Sequence, residues 1–293
     1  MTARIIDGRA IADAVQADVA RDVAAFTASG RPAPKLAVVL VGDDPASHVY
    51  VNMKERAAAS VGMRSEAVRM PGSTSLEEVL AQVARLDQDP DVNGLFVQLP
   101  LPDHIDANVV TEAVSPVKDV DGLTTMSLGL LVQGKPLHVA ATPSGVVEML
   151  RREGIETGGA NVVVVGRSLL VGRPVSLLLS DRTSNATVTM AHTGTKDLGA
   201  VTRQADILVT AMGQPKIVTA DMVKPGAVVI DVGTTKVGTT KKGNAILSGD
   251  VDYEAAREVA SAITPVPGGV GPMTVAMLLV NTVRAAKAMA GER

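Results

Sequence analysis

A chain of 293 residues, 46% hydrophobic and 20% charged, can bury a sizeable core, and at ~100–200 residues per domain it predicts two domains. A net charge of -3 spread over both signs leaves no basic stripe to follow a phosphate backbone, and 1% aromatic residues leave no stacking platform, which argues against nucleic acid as a partner. The lack of cysteine removes disulfides and thiolate metal sites, while His48, His104, His138 and His192 are too scattered for a local metal motif, so no metal is expected.

The start, MTARIIDGRAIADAVQADVARDVAAF, spaces apolar residues as a helix does and lacks the continuous apolar core of a secretion signal. No uninterrupted apolar run reaches ~18 residues, so the expectation is a soluble, cytoplasmic protein with no membrane partner. KLAVVLVGDD then reads as a buried strand. SHVYVNMKERAAASVGM reads as a helix, with Asp44 as its cap, Pro45 in its first turn and Gly62 closing it. On that helix Val49, Met53 and Ala57 are expected to form the buried stripe, with Tyr50 and Lys54 on the neighbouring stripe at the edge of the core. RSEAVRM, SLEEVLAQVARLDQD and VNGLFVQLPLP continue the alternation of strand and helix, which predicts an α/β layered domain with parallel strands and a site at the strand ends.

From 105 to 140 turn formers dominate, and the change of domain is placed here. A linking helix is predicted from Thr142 to Arg152, with Thr142 as cap and Gly154 at its end. A second run, NVVVVGRS, ATVTMAH, ADILVTAMG and GAVVIDVGT, has the short apolar strands of a Rossmann-like nucleotide-binding sheet. ITPVPGGVGPMT then precedes an apolar helix containing Leu278, Leu279 and Val283.

Several stretches carry candidate chemistry. Gly166 ends a strand and Gly172 opens a helix with Ser168 between them, the arrangement that lets backbone amides approach a pyrophosphate; the plain alternative is a strand-loop-helix turn. The next strand ends in Ala191, His192 and Thr193 rather than the carboxylate that holds an NAD ribose, while Arg167 sits in the glycine loop, a combination suited to the 2'-phosphate of NADP. Lys54, an exposed helix lysine on the plain reading, lies one turn from a scarce tyrosine, and Gln98 interrupts an apolar strand just before Pro100 and Pro102. KDVDG, with Asp119 and Asp121, reads locally as a turn and lacks the remaining ligands of a calcium loop. The glycines and prolines of 265–272 serve either a tight interdomain turn or close backbone approach to a flat ligand.

Taken together, SHVYVNMKERAAASVGM, GLFVQLPLP, PVKDVDG, ATPSGVVEML, VVVVGRSLLVGRPVSLLL, VIDVGT, GDVDY and ITPVPGGVGPMTVAML resemble the bifunctional methylenetetrahydrofolate dehydrogenase/methenyltetrahydrofolate cyclohydrolase family over nearly the whole chain. The resemblance implies two α/β domains flanking a cleft. Residues 1–122, completed by a helix at 272–290, would bind folate, and 123–271 would bind NADP. It implies oxidation of 5,10-methylenetetrahydrofolate by NADP+, then hydrolysis of the methenyl product to 10-formyltetrahydrofolate, in the one-carbon metabolism that feeds purine biosynthesis. Lys54 is similar to the family's catalytic lysine, Gln98 to its helper, Tyr50 to the residue against the folate ring and Asp121 to the pterin ligand. Val97, Leu99 and the loop Pro267, Gly268, Gly269, Val270, Gly271 match its folate contacts. Gly166, Arg167, Ser168, Thr193 and Thr234 match its cofactor contacts, with Thr193 standing where serine is commoner. A homodimer is also implied.

Rival readings differ in what they leave unexplained. In a short-chain dehydrogenase the Tyr-x-x-x-Lys pair follows the glycine loop, whereas here it precedes Gly166. A shikimate-dehydrogenase-like oxidoreductase accounts for a lysine in the first domain and NADP in the second, but not for PVKDVDG or PGGVGPMT. An inactive NADP-binding sensor would have no use for Lys54, Gln98 and Asp121 together.

Overall fold

The computed structural model describes residues 2–240 and 245–292. In chain order the elements are β1 (Arg4–Ile5), α1 (Gly8–Ala28), β2 (Lys35–Val41), α2 (Pro45–Ser60), β3 (Arg64–Met70), α3 (Leu76–Gln88), β4 (Gly94–Val97), α4 (Ala107–Glu112) and α5 (Thr125–Val132). There follow α6 (Ala141–Arg152), β5 (Asn161–Val165), α7 (Gly172–Ser180), β6 (Thr187–Ala191), α8 (Leu198–Thr202), β7 (Ile207–Thr210), β8 (Val228–Asp231), β9 (Thr235–Thr239), β10 (Ala245–Ser248), α9 (Tyr253–Ala256), β11 (Ala262–Ile263) and α10 (Val270–Met289). The chain forms two compact units, Met1–Ala12 with Thr142–Thr274 and Asp13–Ala141 with Val275–Arg293. Both are α/β units with parallel sheets, as the alternation of patterns predicts.

In the unit of Asp13–Ala141 the sheet order is β3-β2-β4, parallel throughout. The central strand β2, KLAVVLV, is apolar along its length because both its faces are covered. Ala37, Val39 and Val41 of β2 and Leu95 and Val97 of β4 turn to one face, where Val79, Val83 and Leu86 of α3 and Val110 of α4 cover them. Side chains alternate along a strand, so Phe96 and then Gln98 are left to the opposite face. Helix α3 starts at a capping box in which Ser75 and Glu78 satisfy each other's backbone amides.

Helix α2 begins as the sequence predicts, with the Asp44 carboxylate accepting from Ser47 N at 2.8 Å. Its buried stripe differs from the expected one. Val49 and Met53 are exposed, at 57% and 44%, and Ser47, Val51 and Ala58 face inward. These lie at i, i+4 and i+11, and Lys54, at i+7, falls on the same face. The linking helix also differs. It begins at Ala141, so Thr142 is inside it rather than capping it, and the Thr142 hydroxyl pairs with Thr274 Oγ1 at 2.8 Å.

The other unit holds a parallel sheet of order β1-β11-β8-β7-β5-β6. From β5 the chain passes to β6 on one side and then to β7 on the other, so the topological switch lies between β5 and β7. The strand β1 and its partner β11 have two residues each and leave no readable periodicity in the sequence. Val163, Val165, Leu208, Val229 and Ile263 form the centre of this unit's core. An antiparallel pair, β9 and β10, follows Thr234.

Candidate active site

Lys54 reaches from α2, which packs against β2 and β3, to Phe96 of β4 and to Gln98 just after it. Its ammonium donates to Gln98 Oε1 at 3.0 Å and lies 4.0 Å from the centre of the Phe96 ring. Gln98 cannot turn its amide round freely, because its Nε2 donates to Leu99 O at 2.7 Å and so leaves Oε1 for the lysine. Burial lowers the Lys54 pKa, and Asp121 opposes that shift. Burial raises the Asp121 carboxyl, Lys54 opposes the rise, and Asp119 adds to it. Lys54, Gln98 and Asp121 are therefore brought into one electrostatic group. Tyr50, one turn before Lys54, is 49% exposed and presents a flat face to solvent. Val97 is buried in the core on the opposite side of β4, so its side chain does not join the group, whereas Leu99 contributes its carbonyl.

The segment KDVDG divides its work by residue. Lys118 is buried and donates to the carbonyls of Asp87 at 2.5 Å and Asp89 at 2.7 Å, closing the end of α3. The Asp119 carboxylate accepts from Thr124 N at 2.9 Å and Ser127 Oγ at 2.6 Å, fixing the start of α5. Gly122 has φ +66, and a Cβ there would lie 2.6 Å from Ala140 N. Asp121, between these anchors, is the carboxylate left over for Lys54.

In the other unit the loop after β5 is built for close backbone approach. Gly166 has φ +140, and a Cβ on it would lie 2.4 Å from Ala211 O, in the loop after β7. A Cβ on Gly172 would lie 2.3 Å from Gly166 O. Between them Ser168 Oγ accepts from Val171 N at 3.1 Å, ordering the turn into α7. Arg167, Ser168, Thr193 and Thr234 are all exposed at the carboxyl ends of β5, β6 and β8. The segment 267–271 lies mostly in the turn before α10, with Val270 and Gly271 in the first turn of that helix. Gly269 is needed for backbone packing, since a Cβ on it would lie 2.6 Å from Pro265 O, and Gly8 is needed opposite it, since a Cβ there would meet the Gly269 carbonyl oxygen at 1.8 Å. Pro267 and Gly268 precede it in the turn, with Gly268 at φ +105, and a Cβ on Gly271 would meet nothing within 4 Å.

Sequence profiles place these two groups of residues in a known context. The tetrahydrofolate dehydrogenase/cyclohydrolase catalytic domain matches residues 6–121, and the NAD(P)-binding domain of the same family matches residues 140–290. The chain belongs to the tetrahydrofolate dehydrogenase/cyclohydrolase family. The bifunctional protein FolD of Rhodopirellula baltica is 51% identical over 99% of both chains. The N5,N10-methylenetetrahydrofolate dehydrogenase-cyclohydrolase of Trypanosoma brucei, solved with NADP cofactor and inhibitor, is 41% identical over 99% of both chains, with a TM-score of 0.93. A shikimate 5-dehydrogenase from Thermus thermophilus, at 16% identity and a TM-score of 0.52 over 87% of this chain and 94% of that one, shares the fold alone.

Two side chains around these groups escaped the sequence reading of this tetrahydrofolate dehydrogenase/cyclohydrolase. Phe96 looked like one more apolar strand residue, and only its position within reach of α2 makes it the platform of Lys54. His192 lies beside the glycine loop with its Nε2 3.5 Å from Arg167 Nη1, and its Nδ1 accepts from Gly194 N at 3.0 Å. An acceptor at Nδ1 puts the proton of the neutral ring on Nε2. Nε2–H and the guanidinium are then two donors side by side, an arrangement that calls for an acceptor oxygen between them. The signal in the sequence was the His-x-Gly spacing, because a Cβ on Gly194 would lie 3.0 Å from His192 Cε1.

Proposed function

We propose that this chain oxidises 5,10-methylenetetrahydrofolate with NADP+ to the methenyl cation and hydrolyses that cation to 10-formyltetrahydrofolate, with Lys54 as the proton-transfer group. The observation that carries the reading is the Lys54 amine held by Gln98 over Phe96 beside Asp121, in a chain of this family. The methenyl carbon is already electrophilic, so hydrolysis needs a water deprotonated as it attacks. A neutral Lys54 keeps one N–H for Gln98 and turns its lone pair to that water, and burial favours the neutral form. The proton released in forming the formyl group then passes through Lys54 to solvent. Tyr50 offers the flat face against which the pterin rests, and Asp121 meets its aminopyrimidine edge. Leu99, the backbone of Val97 and the 267–271 segment complete the folate contacts.

The residues present fit NADP. Gly166 and Gly172 form a cradle that a Cβ at either would fill, and no carboxylate stands at His192 or Thr193 to claim a ribose 2'-hydroxyl. Arg167 and Nε2–H of His192 would hold the 2'-phosphate, with Thr193 beside them and Ser168 and Thr234 along the rest of the cofactor. When bound, the nicotinamide supplies the hydride acceptor, and the protein's part is alignment. Folate binding thus falls to the segment 1–122 with 272–290 and cofactor binding to 123–271. We further propose a cytoplasmic homodimer. Among the described residues no helix is long and apolar enough to cross a membrane, and the edge strand β6 exposes Met190 beside a groove of about 360 Å³ that Leu177 and Val188 help to line. Sedimentation equilibrium tests the dimer.

The activity is tested by following NADPH formation and methenyl absorbance together after adding methylenetetrahydrofolate and NADP+, with shikimate as the comparison substrate. Turnover of the folate through both steps is expected. Reduction of NADP+ by shikimate alone would replace the reading with its nearest rival, and tight NADP+ binding without turnover of either would favour a sensor.

A further inference from the structure

Two buried carboxylates in the dinucleotide-binding unit make no ion pair among the described residues and have no part in the chemistry above. Asp231 ends β8 and is 3% exposed; Asp250 follows β10 and is fully buried. Asp231 is satisfied by N–H and O–H donors from separate segments, and Asp250 by two N–H donors of one loop. Asp231 Oδ1 accepts from Gly233 N at 3.0 Å, Asp250 N at 3.1 Å and Thr210 Oγ1 at 3.0 Å, and its Oδ2 accepts from Val251 N at 2.9 Å. Asp250 Oδ2 accepts from Met212 N at 2.5 Å and its Oδ1 from Gln214 N at 2.8 Å. A Cβ on Gly233 would lie 2.3 Å from the Asp250 carboxylate, and one on Gly249 would lie 2.0 Å from Asp231 Oδ2, so the chain closes tightly on both.

The loops so held are the ones that bound a dinucleotide site. Residues 211–214 follow β7 on one side of the topological switch and touch the glycine loop at Gly166, which follows β5 on the other. Residues 232–234 follow β8 and carry Thr234. A carboxylate is the side chain that can take several converging N–H donors without offering one in return, and a buried one keeps its charge only while those donors stay in place. Two linked carboxylates therefore lock the backbones after β7, β8 and β10 to one another.

We propose that Asp250, anchored through Asp231, is a positioning residue for the dehydrogenase step: it sets the 211–214 and 232–234 loops against the glycine loop and so fixes how the dinucleotide is seated. The inference rests on the NADP reading given above. In Asp250→Asn one oxygen becomes an NH2 group facing a backbone N–H of Met212 or Gln214, which pushes that loop away.

The test measures NADP+ binding by calorimetry, and kcat and KM for both reactions, in the full-length protein. For Asp250→Asn the expected result is an NADP+ Kd and KM raised about ten-fold or more, with hydrolysis of added methenyltetrahydrofolate within about two-fold of wild type. Should that variant fold poorly, Thr210→Val removes a single side-chain donor to Asp231 and is expected to raise the NADP+ KM about three-fold, while Thr210→Ser restores it. Loss of both activities in step with melting temperature, at unchanged NADP+ affinity, would reduce the pair to a structural element and overturn the inference. So would unchanged NADP+ binding in well-folded Asp250→Asn and Thr210→Val. Failure of the wild-type protein to bind NADP+ would instead overturn the cofactor reading itself.

Discussion

An amine that is to take a proton from water near neutral pH must spend part of its time uncharged, and the surroundings of Lys54 pull in both directions. Burial lowers its pKa, while Asp121 and the Phe96 ring favour the ammonium. Lys54→Met keeps the stem and loses the nitrogen; methenyl hydrolysis is expected to fall at least about 10²-fold, with NADP+ affinity unchanged, in an assay corrected for the uncatalysed rate. Lys54→Arg separates the two roles a lysine can have. A guanidinium keeps the charge but does not release its proton, so it is expected to be as inactive as methionine, and an active arginine variant would point to a cationic role instead. The pH profile carries a sign as well. Hydrolysis should rise with pH as Lys54 loses its proton, with a midpoint below the ordinary 10.5. Asp121 raises the lysine's pKa, so Asp121→Asn should move that midpoint to lower pH even as folate binding weakens.

At the level of elements, helix α2 separates what the sequence discloses from what it conceals. Its start was legible because a cap is local chemistry: Asp44 and Pro45 bind or shape the adjoining backbone whatever the tertiary structure. Its buried face was not. Val49, Met53 and Ala57 form an apolar row, yet the helix turns Ser47, Val51, Lys54 and Ala58 inward, where the lysine reaches Phe96 and Gln98. A reactive group placed at a core position reads as a surface residue when apolar spacing is the only guide. The short strands β1 and β11 were hidden for another reason, since Arg4 pairs with Ala262 and such pairing leaves no local pattern. Stability measurements distinguish the two faces of α2. Val51→Ala, at a fully buried position, is expected to cost roughly 2 kcal/mol in urea unfolding, whereas Val49→Ala should stay within about 0.5 kcal/mol. The reverse order would restore the face expected from sequence.

Across the whole molecule the charged groups decide how stability follows pH, and they do not all act in one direction. Glu66 and Asp91 are held below the usual carboxylate range, Glu66 foremost by its hydrogen bond to Lys35 and Asp91 by its hydrogen bond to Arg64. Their contribution is present above their unfolded values of 4.5 and 3.8 and is lost as pH falls through the folded ones. Asp231 works the other way. Burial raises its carboxyl from 3.8 to about 6, against the hydrogen bonds of Val251 N and Asp250 N, so the folded state takes up a proton more readily than the unfolded chain. Its contribution is fully present below 3.8 and is lost as pH rises through about 6. A shift of roughly two units corresponds to about 3 kcal/mol. Asp231→Asn cannot titrate, and the other carboxylates are common to both proteins. The stability of wild type relative to Asp231→Asn should therefore increase by about 3 kcal/mol as pH falls from about 7 to about 3, read from urea midpoints along the series. A difference that stays flat over that window would mean that Asp231 remains ionised in the folded protein, with its ring of donors outweighing its burial.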